Sequence, residues 1–167
     1  MLKNLTITEN GGAIEEFSSQ YHHESRCLNL LTRDPTLCWF TDVSKQLPQH
    51  VILRFAAPSR IYRVGIYLHG ENNQNPKHIQ IWLSPDKERW TEVVDAELEQ
   101  RGGDHLFDLP EGLAGLPIAQ ITSRPAPLVG PGAGMVARYV KYVVTDNFGG
   151  SGIYTTKIFA FGLPEAQ

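Results

Sequence analysis

Six histidines, eighteen side-chain carboxylates and two cysteines are the groups through which this chain could do acid–base, metal or nucleophilic chemistry. The densest cluster is His22-His23-Glu24. Adjacent side chains of an extended segment point to opposite faces, so both imidazoles reach one ion only if the backbone turns sharply between them. The expectation is a solvated loop. His50, His69, His78 and His105 fall near the ends of strand-like runs, where a satisfied or solvated imidazole is the ordinary outcome. No GxSxG, Walker, HExxH or dinucleotide-binding pattern is present, and neither Cys27 nor Cys38 lies in CxxC or beside a candidate base. Glu97 and Glu99 are placed on a solvated face, with no carboxylate pair of the glycosidase kind. A non-catalytic chain is expected. Trp39, Trp82 and Trp90 could stack on a sugar ring, but each sits in or beside a strand pattern and is expected to pack against a sheet.

Fifteen basic against eighteen acidic residues leave a net charge of -3, which offers no chain-wide attraction to nucleic acid or anionic lipid. The N-terminus lacks a basic patch followed by an apolar run, and nowhere do enough apolar residues follow one another to span a bilayer. Two cysteines are too few for a disulfide scaffold, so free thiols in a reducing, intracellular compartment are expected.

The elements that must carry these residues read as strands. Val51–Phe55, Ile61–Leu68, His78–Leu83, Trp90–Val94, Tyr139–Val144 and Ile153–Phe161 are rich in β-branched and aromatic residues and are closed by Gly, Pro, Asn or Asp. Leu2–Thr8 reads as an edge strand, Asn10-Gly11-Gly12 as a turn and Ala13–Phe17 as a second short strand. His69 to Pro76 reads as a hairpin loop. Residues 18–50 read as a long irregular connection with at most one helical turn near Arg26–Leu31, and residues 112–135 as a Gly/Pro-rich insert that cannot continue a ladder. The chain is expected to be one domain over residues 1–162, with a short tail at 163–167.

Three segments resemble a known family: Asn29 to Trp39, then Pro48-Gln49-His50-Val51-Ile52-Leu53, then Arg138-Tyr139-Val140-Lys141-Tyr142 at the head of the final strands. Together they are similar to the discoidin-type (F5/8 type C), galactose-binding-like domains. The resemblance implies an all-β antiparallel jelly-roll sandwich. Within that superfamily the short opening strand, Ser18-Ser19 leading into the loop and the Pro48-Gln49 pair resemble the small discoidin-like subunit of the intraflagellar transport B complex. Aligned without gaps, the family's calcium-ligating Asp falls on Thr32, its Gly on Arg33, its Asn on Asp34, and a Thr ligand on Leu37. Calcium wants six to eight oxygens, several of them carboxylate, so this loop is degenerate and no cofactor is expected, the alternative being a calcium ion held by Asp34 and Asp42 from neighbouring positions.

The resemblance implies a protein-binding subunit of a ciliary or related cytoplasmic assembly, with a Rab-like small GTPase as partner, located in cytoplasm, cilium or basal body. Alternatives on the same fold are an anaphase-promoting-complex Doc-type, SUN-type or centriole and ciliary-tip scaffold, or a carbohydrate-binding module. Candidate binding residues fall on two surfaces. One is the loop end carrying Arg33, Asp34, Trp39, Thr41, Asp42, Asn72, Asn73, Asp146 and Asn147; the other is a sheet face carrying Tyr62 and Tyr67.

Overall fold

The computed structural model describes residues 2–109 and 134–165. They form ten strands: β1 (Lys3–Asn4), β2 (Ala13–Phe17), β3 (Trp39–Phe40), β4 (Gln49–Leu68), β5 (Pro76–Ser84), β6 (Thr91–Glu97), β7 (Gly103–Asp108), β8 (Met135–Asn147), β9 (Tyr154–Thr155) and β10 (Lys157–Pro164). Every pairing is antiparallel. Among the described residues the helical segments are short 3-10 turns, and no helix is long and apolar enough to cross a membrane.

The twenty-residue β4 organises the sandwich. Its first part, Gln49 to Arg54, pairs with β2 and β8, and β8 continues to β5 and β6. Its second part, Arg63 to Leu68, pairs with β10 on one side and β7 on the other, and β10 continues to β1. The register with β8 breaks between Arg54 and Ser59, where Phe55-Ala56-Ala57-Pro58 intervenes. Pro58 has no amide hydrogen to donate, which suits a bend between layers. Inward-facing residues from both parts of β4 (Leu53, Phe55, Val64 and Ile66), from β5 (Ile81 and Leu83), from β8 (Val140) and from β10 (Ile158) meet in one core.

The all-β sandwich is present, with instructive differences in its strands: Ile153–Phe161, read as one strand, is divided into β9, which pairs with β3 in a separate two-stranded sheet, and β10. Val51–Phe55 and Ile61–Leu68 are one strand that serves two layers. The loop from His69 to Pro76 does not close a hairpin: β4 ends beside β10 and β7, whereas β5 pairs with β8 and β6. Polar turn residues mark a chain reversal, but the choice of layer is made by packing. The opening strand shrinks to Lys3–Asn4, because Leu5, Thr6 and Ile7 are buried on the way to a 3-10 turn at Thr8–Asn10. β3 and β7 carry too little apolar alternation to stand out. Of the insert expected at 112–135, all but Gly134 and Met135 lies outside the described residues.

Candidate functional site

Residues 18–50 are ordered by hydrogen bonds of their side chains, to one another and to backbone. Ser18 and Ser19 both donate to Gln49 Oε1 at 2.6 Å, Gln49 Nε2 donates to the Gln46 carbonyl, and Ser19 Oγ accepts from the Asp42 amide. Ser18, Ser19 and Gln49, far apart in the chain, therefore form one knot in which Ser19 and Gln49 are buried. Trp39 is fully buried, with Nε1 donating to the Ser19 carbonyl at 2.8 Å. It presents no face to a ligand. Thr41 is buried too, its hydroxyl accepting the Ile153 amide.

The loop from Asn29 to Trp39 closes around an ammonium group. Asn29 Nδ2 donates to the carbonyls of Glu24 and Cys38, which draws the loop's two ends together. Lys157, on β10, reaches into the loop and donates to the Asn29 carbonyl at 2.7 Å, the Leu37 carbonyl at 2.9 Å and the Thr32 hydroxyl at 3.0 Å. An ammonium has three hydrogens, and all three are satisfied. Burial lowers Lys157 to about 8, while Asp34 and then the Cys38 thiol act in the opposite sense. Asp34 turns outward, accepting the Thr36 amide and hydroxyl, and these bonds hold its carboxyl below the usual range.

These residues do not fit the calcium ion that discoidin-type loops hold. Two positions aligned with its ligands, Thr32 and Leu37, give their oxygens to Lys157, and the loop's carboxylate, Asp34, is engaged in its own turn. The loop carries its own cation.

Two concave surfaces flank this loop. At the loop end, Pro35, Thr36 and Cys38 face His69, Glu71, Asn72, Asn75 and Tyr154 across a cleft of about 230 Å³. Tyr154 stacks on buried Phe40, ring centroids 4.2 Å apart and planes at 17°, which fixes its orientation. Asn75 donates to the Gly70 carbonyl, Asn72 Oδ1 accepts the Gln74 amide, and the Tyr154 amide donates to the Gln74 carbonyl, so the turn carrying the polar groups is rigid. The second surface is a groove of about 570 Å³ on the outer face of β10 and β4, with Tyr67, Phe159 and Phe161 as aromatic lining and Lys3, Arg33 and Lys157 as cations.

The candidates from the sequence thus separate. Asn72 lines the loop-end cleft; Arg33 and Tyr67 line the sheet-face groove. Asn73 is exposed and gives its carbonyl to the Gly150 amide. Asp42 accepts the Ser44 amide and hydroxyl, Asp146 accepts the Asn147 amide, and Asn147 Nδ2 donates to the Gly150 and Gly152 carbonyls; all three act in turns. Tyr62 is partly exposed but lines neither surface. His69, Tyr154, Lys157, Phe159 and Phe161 escaped sequence reasoning. For Lys157 a signal existed: a lysine opening the otherwise apolar run Lys157-Ile158-Phe159-Ala160-Phe161.

No family model matches the chain, and no curated protein matches it. Solved structures do. A fragment of a putative chitobiase from Bacteroides thetaiotaomicron superposes with a TM-score of 0.72 at 14% identity, covering 100% of this chain and 95% of that one. A family 32 carbohydrate-binding module of NanJ from Clostridium perfringens, solved with galactose, gives 0.70 at 10% identity over 96% of this chain and 99% of that one. Allantoicase from Saccharomyces cerevisiae gives 0.66 at 17% identity over 96% of this chain and 43% of that one. The fold is the antiparallel β-sandwich of the galactose-binding-like type.

Proposed function

We propose that this chain is a non-catalytic binding module whose loop-end cleft takes a carbohydrate. The observation that carries the reading is the cleft itself, where the hydroxyl of Thr36, the imidazole of His69, the carboxylate of Glu71 and the amide of Asn72 gather beside Tyr154. A sugar ring needs that combination: an aromatic face for its C–H surface, and a few fixed donors and acceptors for its hydroxyls. The similarity to sandwiches solved as carbohydrate-binding modules, one of them with galactose, supports the choice of ligand class.

Titration calorimetry with galactose and with N-acetylglucosamine disaccharides, alongside a glycan array, tests it. Binding to at least one sugar is expected, reduced at least tenfold in Tyr154→Ala and Asn72→Ala and unchanged in Trp90→Ala. Absence of heat and of array signal from folded protein would overturn the reading.

A second reading, attachment to another protein in an intracellular assembly such as a ciliary transport complex, is favoured by a different observation. β10 turns Phe159 and Phe161 outward, at positions where sandwiches ordinarily carry polar residues, and both cysteines are free thiols.

A further inference from the structure

β10 alternates Ile158 and Ala160 inward, both fully buried, against Phe159 and Phe161 outward. The two phenyl rings lie 5.3 Å apart on the outer face. Tyr67 stands across from Lys157 in the β4–β10 register, and Phe159 stands across from Gly65, which has no side chain to cover it. On the far side of Gly65, Leu106 of β7 is also outward and 38% exposed. Tyr67, Phe159 and Phe161 form the aromatic lining of the 570 Å³ groove, and Leu106 lies outside that lining. A contiguous outward apolar surface of this kind marks an interaction site.

The charges around it select the partner. Lys3 and Arg33 line the groove, among the described residues no carboxylate lines it and neither cation has an ion-pair partner, and the Lys157 ammonium is turned away into the loop. This cationic rim stands out on a chain of net charge -3. A second copy seated symmetrically would bring Lys3 and Arg33 against the same cations of its twin, which is repulsive.

We propose that this groove docks an acidic, apolar segment of a partner protein, its aromatic or aliphatic anchors on Phe159, Phe161 and Tyr67 and its carboxylates on Lys3 and Arg33. The proposal rests on the protein-binding reading and is independent of the sugar cleft. Aromatic anchors and Arg are the residue types that dominate such interfaces.

Selection of a phage-displayed library of random sixteen-residue peptides on the folded chain provides the test. Selected peptides should combine Asp or Glu with Phe, Leu or Trp. Their affinity by fluorescence anisotropy should fall at least tenfold in Phe161→Ser and, independently, in Arg33→Glu, whose exposed position leaves the unfolding midpoint unchanged; Tyr154→Ala should have no effect. Peptides that bind Phe161→Ser and Arg33→Glu as well as the native chain, or that lack acidic residues, would overturn the groove while leaving protein binding elsewhere on the domain. Failure to select any peptide would count against both. A concentration-dependent dimer in sedimentation that Phe161→Ser abolishes would assign the groove to a second copy and overturn the proposal.

Discussion

A lysine among apolar strand residues ordinarily points its charge to solvent, yet Lys157 is 6% exposed and turns its ammonium into a neighbouring loop. Desolvating that group costs free energy, and hydrogen bonds to two carbonyls and a hydroxyl offset it. Lys157→Met keeps the aliphatic stem but leaves the Asn29 and Leu37 carbonyls without this donor. We expect it to destabilise the fold by about 1–3 kcal/mol in urea unfolding. Because the cation is part of the chain, millimolar calcium should leave the unfolding midpoint of the native protein unchanged. A ligand that binds only the folded state must raise that midpoint by mass action, so a clear calcium-dependent rise would contradict this account of the loop. The same loop contributes Thr32, Arg33 and Pro35 to one concave surface and Pro35, Thr36 and Cys38 to the other. Lys157 therefore holds both in shape.

Among the described elements, β7 pairs with β4 alone, and its His105 faces inward, buried, its ring within hydrogen-bonding distance of the Arg101 carbonyl. Burial lowers this imidazole below its ordinary value, the Arg101 carbonyl acting in the opposite sense. The unfolded chain then binds a proton more readily than the folded one. Stability from a neutral His105 is complete above the unfolded value of about 6.5 and is lost as pH falls below it toward the folded value. Urea midpoints should drop from about pH 7 to about pH 5, and His105→Gln should flatten part of that drop. An equal slope in both proteins would show that His105 does not titrate on unfolding. The strand was hard to read because Gly103-Asp104-His105-Leu106-Phe107-Asp108 alternates weakly, and its place beside β4 depends on partners distant in sequence. β2, by contrast, stands out as a short run bounded by Gly11-Gly12 and Ser18-Ser19, and the structure places it at the same residues, Ala13–Phe17.

At the scale of the whole molecule, β4 ties the two layers into one cooperative unit, since each part of it carries fully buried residues into the shared core, Leu53 from the first and Ile66 from the second. Leu53→Ala and Ile66→Ala should each cost about 2–5 kcal/mol. Both should unfold in a single transition, coincident by far-ultraviolet circular dichroism and by tryptophan fluorescence, which includes the buried Trp39. Two separated transitions would mean that the layers fold independently.

The fold class and most strand positions are legible in the amino-acid order alone, because β-branched and aromatic runs closed by Gly, Pro and Asn are local signals with a local cause. The replacement of the chief calcium carboxylate by Thr32 and of a second ligand by Leu37 is likewise legible, since that depends only on which residue types are present. Long-range packing sets whatever depends on which distant residues meet. It moved the loop at His69 from a hairpin to a crossing between layers, buried Trp39 and Thr41, and brought Lys157 to Asn29, Thr32 and Leu37 across more than a hundred residues. It also chose which face of β10 looks outward. With Phe on one face and Ile and Ala on the other, alternation is apolar on both sides, and only the core's supply of partners separates them.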